Sequence, residues 1–233
     1  MFNWFKNKFG KKTQEQETAP TTLLAEVNKT PTKGIALDSQ ITISSDVEDI
    51  FGDQLTYHSG KENKVVVGIA QKSEDRDNVF RVYTDDDYFV EIEYFGEDKA
   101  GNEATNVVFQ LVHDIGADQP DDEQAAQWKM VIENDLEFEY KGNKYRRETN
   151  EVYGGLEVVE IGSNEIKPLD HTYAIFNRPI GENFEELLIV NAECKVTLDE
   201  DTGEILSYDD LNIWVAVGMK IKNSEFKAYN QQQ

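Results

Sequence analysis

The sequence of 233 residues has one cysteine, five prolines and three histidines, and it holds no apolar run long enough to cross a bilayer as a helix. A lone cysteine, Cys194, excludes an internal disulfide and a thiolate metal framework, in keeping with a reducing compartment. The longest apolar stretches, such as Val65 to Ala70 and Leu187 to Val190, fall far short of the roughly 20 residues that a spanning helix requires. A secretory leader needs an unbroken apolar centre, whereas lysines and asparagines interrupt Met1 to Gly10. The expected address is therefore cytoplasmic. His58, His113 and His171 show none of the i, i+4 or Cys/His spacings used by zinc sites. Phosphate-cradling glycine loops, dinucleotide fingerprints and nucleophile elbows are also missing, so no catalytic residue, metal site or cofactor is read from the sequence.

Basic residues are scarce as well. Lysine and arginine number 23 against 46 acids, a net charge of −23. The shortage is uneven: residues 1–12 hold Lys6, Lys8, Lys11 and Lys12 with no acid, which leaves −27 on the remainder. Residues 81–140 alone carry 17 acids and three bases. Such a field repels phosphate backbones and excludes nucleic acid as a partner of the main domain. Its ordinary consequence is solubility; its sharper one is an acidic face that docks a basic partner or divalent cations.

What is present organises the chain into four parts. After the basic, aromatic segment 1–12, residues 13–34 are rich in Thr, Gln, Glu and Pro and read as a flexible linker. A single acidic α+β domain is expected over 35–223, followed by a loose tail over 224–233. Ser45 and Glu48 have capping-box spacing ahead of Val47, Ile50, Phe51 and Leu55, which predicts one short helix. Strand patterns recur at 64–70, 79–84, 88–95, 105–112, 156–161, 172–177, 184–190, 192–198 and 213–221, with a hairpin around Gly142-Asn143. In 88–95 the residues Tyr88, Val90, Ile92 and Tyr94 share one face against Glu91 and Glu93, the mark of a sheet wet on one side. One long helix is predicted from Pro120 to Asn134, with Asp118 as cap and Ala125, Trp128, Val131 and Ile132 as its buried stripe. The expected fold is α+β, mainly antiparallel β, with about nine strands, one long helix and one short helix.

The most specific chemistry lies in the first twelve residues. If helical, Phe2, Phe5 and Phe9 form one narrow stripe flanked by Lys6, Lys8 and Lys12, as in interfacial helices; Trp4 falls off that stripe, and Lys11 adds charge. Each fully buried Phe contributes about 1.5–3 kcal/mol, and each lysine near anionic lipid about 1 kcal/mol. Ordering a free terminus offsets much of that, so weak, reversible contact is expected. The alternative is that these aromatics dock on the protein's own domain or on a partner subunit.

Other motifs have plainer readings. Cys194 alternates with Ala192, Val196 and Leu198, which places its thiol on the apolar face of a strand as an inert core residue. Asp199 to Glu204 imitates a calcium loop, but Gly203 occupies the fifth place instead of the sixth and Asp210 stands at the twelfth, so a hairpin turn is expected. Sequence adjacency of His113 with Asp114, or of Asp170 with His171, implies no dyad, because neighbours on a strand point to opposite faces.

Tyr83-Thr84-Asp85-Asp86 with Tyr88-Phe89, Trp128, Tyr145-Arg146, Tyr173, Arg178, Glu186-Leu187-Leu188 and Val217-Gly218-Met219 together resemble the bacterial YjfK-like family, a domain of unknown function. The likeness spans most of 35–222. It implies a cytoplasmic protein with an envelope-related role and carries no catalytic residues over. By residue chemistry Trp128, Tyr145 and Tyr173 are core aromatics, and Arg146 and Arg178 are available to pair with acids. The function expected is that of an accessory or interaction protein with a protein partner, which includes a membrane protein. Its N-terminal segment would make weak contact with an anionic membrane. The alternative is an enzyme or divalent-metal-dependent module built on a carboxylate cluster.

Overall fold

The computed structural model describes residues 35–44, 46–60, 62–73, 79–94, 104–147, 149–161, 165–199, 202–222 and 225–229. The basic segment 1–12, the linker 13–34, Ser45 of the capping box and half of the tail lie outside the described residues. Twelve strands join in one antiparallel sheet: β1 (Gln40–Ile43), β2 (Asn63–Ser73), β3 (Val79–Thr84), β4 (Tyr88–Tyr94), β5 (Ala104–Asp118), β6 (Glu137–Tyr140), β7 (Asn143–Arg147), β8 (Tyr153–Ile161), β9 (Glu165–Ile180), β10 (Phe184–Leu198), β11 (Ile205–Ile221) and β12 (Phe226–Tyr229). Among the described residues, two short α-helices, α1 (Asp46–Phe51) and α2 (Asp122–Glu133), and a 3-10 turn (Gly52–Gln54) complete the fold.

The mainly antiparallel β class is as expected, but the strand count and the long helix are not. β1 and β12 are four-residue strands, too short to show alternation, and β12 falls where a loose tail was expected. The segments 184–190 and 192–198 are one continuous strand, β10. α2 has only twelve residues because its cap is Asp121, not Asp118. The Asp121 carboxylate accepts from the Gln124 backbone N–H at 2.8 Å and the Gln124 side chain accepts from the Asp121 N–H at 3.1 Å, a reciprocal pair that outcompetes a cap three residues earlier. The β6–β7 hairpin turns on Lys141 and Gly142, at φ 49° and 78°, one residue before the expected Gly-Asn pair. Glycine suits the second of these positions because both need the left-handed region.

The pairings close a ring. β2 pairs with β3, then β4, β5, β11, β10, β9 and β8 follow in order, and β8 returns to β2, with every neighbour antiparallel. β1 and β12 continue from the Asn63–Val65 end of β2, and β7 and β6 continue from β9. Which face points inward follows from reach. Arg81 of β3 stands on the same ladder line as Lys220 of β11, through Glu91 and Val107, six residues from Trp214. Its guanidinium nevertheless lies 6.0 Å from the Trp214 ring. Two strands lie between them, so only a concave face can bring the two together.

That inner face carries Phe89, Phe109, Tyr173, Ile189 and Ala216 as one buried cluster, with Tyr83, Leu111 and Trp214 packed against it. The opposite face carries the larger core, including Val82, Val90, Phe176, Leu188, Val190, Val215 and Val217. α2, the β6–β7 hairpin and the loop after α1 supply Ile132, Tyr145 and Tyr57 to that core. Alternation along β10 makes the division visible: even positions from Glu186 to Val196 are buried on the outer face, and Ile189 and Asn191 are buried on the inner one. Gly218 on β11 has no room for a Cβ, because the Phe109 ring and the Val108 carbonyl fill the space.

Candidate functional site

The inner face gathers charge that the strand patterns alone did not reveal. Arg81, Glu157 and His171 are fully buried, and they come from β3, β8 and β9. The strand between β3 and β8 makes this possible: β2 presents Gly68 opposite Tyr83 and Ala70 opposite Arg81, so long side chains can cross it. Arg81 Nε donates to Glu91 Oε2 at 3.0 Å and its Nη1 to Glu157 Oε2 at 3.1 Å. Tyr83 donates its hydroxyl to Glu157 Oε1 at 2.8 Å. The guanidinium also lies 5.0 Å from the Phe89 ring, whose face complements a cation.

His171 extends the cluster towards β10 and β11. Its Nδ1 is 3.0 Å from the Asn191 amide nitrogen, so that nitrogen of the ring is the acceptor. His171 Nε2 approaches Glu157 Oε2 at 2.6 Å but off the line of a hydrogen bond. Glu193 Oε2, 3.7 Å from Nδ1, accepts from the Trp214 indole at 2.9 Å. Burial works against the Arg81 charge, but Glu157 overrides it and holds the guanidinium pKa well above its usual value. Burial, reinforced by Glu157, pushes the Tyr83 hydroxyl far up as well.

A second carboxylate centre lies on the outer face. Glu186 of β10 accepts from the Thr56 and Tyr57 backbone N–H groups at 2.6 and 2.7 Å. It also accepts from the Tyr145 hydroxyl at 2.6 Å and from Arg178 Nε at 2.9 Å. This latch ties the loop after α1 to β7, β9 and β10. Arg178 thus pairs with an acid as expected, and Arg146 pairs with Glu137 at the surface, 3.2 Å away. Tyr145 and Tyr173 are buried, and Trp128 packs half-buried against Phe138.

Chemically, the Glu186 centre is satisfied by donors of the fold, whereas in the inner cluster Arg81 Nη2, His171 Nε2 and Asn191 Oδ1 are buried with no hydrogen-bond partner among the described residues. Among the described residues no group of three or more His, Cys, Asp or Glu is placed to hold a metal. Cys194 lies buried on the outer face, as its alternation indicated, and burial first, then Asp170, pushes its thiol up to about 12. Asp170 and His171 face opposite sides of β9, and Asp170 meets Tyr208 on the outer side. His113 lies 3.1 Å from Asp87 at an exposed position, and Asp114 accepts from Tyr140. The turn after β10 is closed by Asp199, which accepts from the Thr202 N–H and hydroxyl, with Gly203 at φ 70°. The candidate binding residues Phe2, Trp4, Phe5, Lys6, Lys8, Phe9, Lys11 and Lys12 lie outside the described residues. Arg81 and Glu157 were legible only as charges at alternating positions inside apolar runs, Phe80-Arg81-Val82 and Leu156-Glu157-Val158.

Fold and site together define a closed antiparallel β protein whose interior is held by a buried ion cluster. The chain belongs to a family described as a protein of unknown function (DUF2491), whose model matches residues 4–227. No curated protein and no solved structure matches it. No helix among the described residues is long and apolar enough to cross a membrane.

Proposed function

We propose that the chain is a non-enzymatic accessory protein. Residues 1–12 hold it peripherally at the inner face of the membrane, and its acidic body is presented to a protein partner there. The observation that carries this reading is the charge contrast: four lysines and no acid among the aromatics of 1–12, against −27 on the rest. The family match begins at residue 4 and so includes most of that segment. The buried carboxylates support the same reading, since Glu157 and Glu186 are engaged by donors of the fold itself.

Weak attachment suits such a device. Aromatic side chains and lysines together give reversible contact, and the 22 residues from 13 to 34 are long enough to hold the acidic body beyond the roughly 10 Å screening distance from anionic lipid. Fractionation of cells producing the full chain tests this. The parent protein is expected in the membrane fraction at low salt and in the supernatant after Phe5→Ser with Phe9→Ser. Equal partition of the two would contradict the reading.

A further inference from the structure

α1 and the turn between β9 and β10 frame a groove of about 320 Å³. Phe184 and the half-buried Leu187 are its accessible apolar lining, with Val47 and Met219 almost fully buried behind them, and Glu182 and Glu185 are its exposed acids. Phe184 is 36% exposed, and Ile50, three residues after Val47 on α1, is 66% exposed. The groove has a built shape. Phe51 packs 5.6 Å from Phe184, and Gly181, at φ 63°, lies under the Phe51 ring where a Cβ would press on it. The groove lining holds two acids, Glu182 and Glu185, against one cation, Lys220.

An apolar groove with an acidic lip calls for an occupant that is aromatic and basic. Residues 1–12 have that composition, with Phe2, Trp4, Phe5 and Phe9 beside four lysines and no acid. They also lie within reach. At no more than about 3.6 Å per residue, the 22 residues from 13 to 34 can reach up to roughly 75 Å, whereas a domain of this size has a radius of gyration of about 16 Å. Tethering raises the effective concentration of the segment to the millimolar range, enough to fill a site of modest affinity.

We infer that the groove between α1 and the β9–β10 turn is the resting site of the chain's own N-terminal segment, with Phe side chains against Phe184 and Leu187 and lysines against Glu182 and Glu185. The inference takes from the proposed function only that residues 1–12 form a detachable segment; membrane and groove then compete for it. Lipid-free measurement separates the two claims, because failure of groove docking leaves membrane attachment standing, and the reverse also holds.

The test uses the full chain carrying a nitroxide at Asn7→Cys, with methyl signals as the readout. Leu187 and Met219 are expected to broaden several-fold, while Ile166, at the far end of β9, stays sharp. The broadening is expected to disappear in the charge-reversed variant Glu182→Lys with Glu185→Lys, whose surface positions leave the fold intact. Three results would overturn the inference: Leu187 and Met219 no broader than Ile166, broadening unchanged by charge reversal, or broadening of an isotope-labelled chain by a spin-labelled second copy.

Discussion

Arg81 and Glu157, both without exposed surface, meet at 3.1 Å across the intervening strand β2. A buried pair of this kind contributes little against an apolar replacement of both partners, but removal of one leaves the other charge stranded. Arg81→Met strips the cation from Glu157 and Glu91 and is expected to cost about 3–5 kcal/mol in urea unfolding. Adding Glu157→Gln to that variant is expected to restore part of the loss. A single-variant cost below about 1 kcal/mol would mean that the cluster does not hold the ring.

The Glu186 latch makes a separate prediction. Tyr145→Phe removes a hydroxyl that donates to Glu186 and bonds Thr56, leaving buried acceptors short of a donor. The expected cost is about 1–3 kcal/mol. Faster hydrogen exchange is expected at the Thr56 and Tyr57 amides, with the inner-face strands unaffected. Uniformly faster exchange would show that the latch is not local.

Stability should also fall with rising pH through one identifiable group. Burial raises the Asp170 carboxyl to about 7, while His171 and the Tyr208 hydroxyl pull it down. Its unfolded value is about 3.9, so between about 4 and 7 the folded chain holds a proton that the unfolded chain has released. The contribution is complete below about 4, is lost as pH rises to about 7, and is bounded by about 4 kcal/mol. Asp170→Asn mimics the protonated form. Urea unfolding at pH 5 and pH 8 is expected to show the variant gaining on the parent at the higher pH; a constant difference would contradict the assignment.

Much of the fold was legible because alternation is a local signal. Tyr88, Val90 and Ile92 share the outer core face as their spacing indicated, and Ile213 to Ile221 form the buried face of β11. Four-residue strands such as β1 and β12 carry too few alternations to stand out, and their pairing with each other joins segments far apart in the chain. The ring itself was invisible for the same reason, since closure depends on β8 meeting β2. The ion cluster followed from that closure: Arg81, Glu157 and His171 are remote in sequence, and only β2, with Gly68 and Ala70 facing inward, allows them to converge. Cys194 needed no such closure, because its own strand fixed its burial.

The central claim is that residues 1–12 attach an acidic body to an anionic surface. Flotation of the full chain with vesicles of neutral lipid, with and without a fifth of anionic lipid, tests it most directly. Co-flotation is expected only with anionic lipid, falling steeply from 50 to 300 mM salt and lost in Phe5→Ser with Phe9→Ser. Equal flotation of parent and variant, or binding indifferent to anionic lipid and salt, would contradict the account.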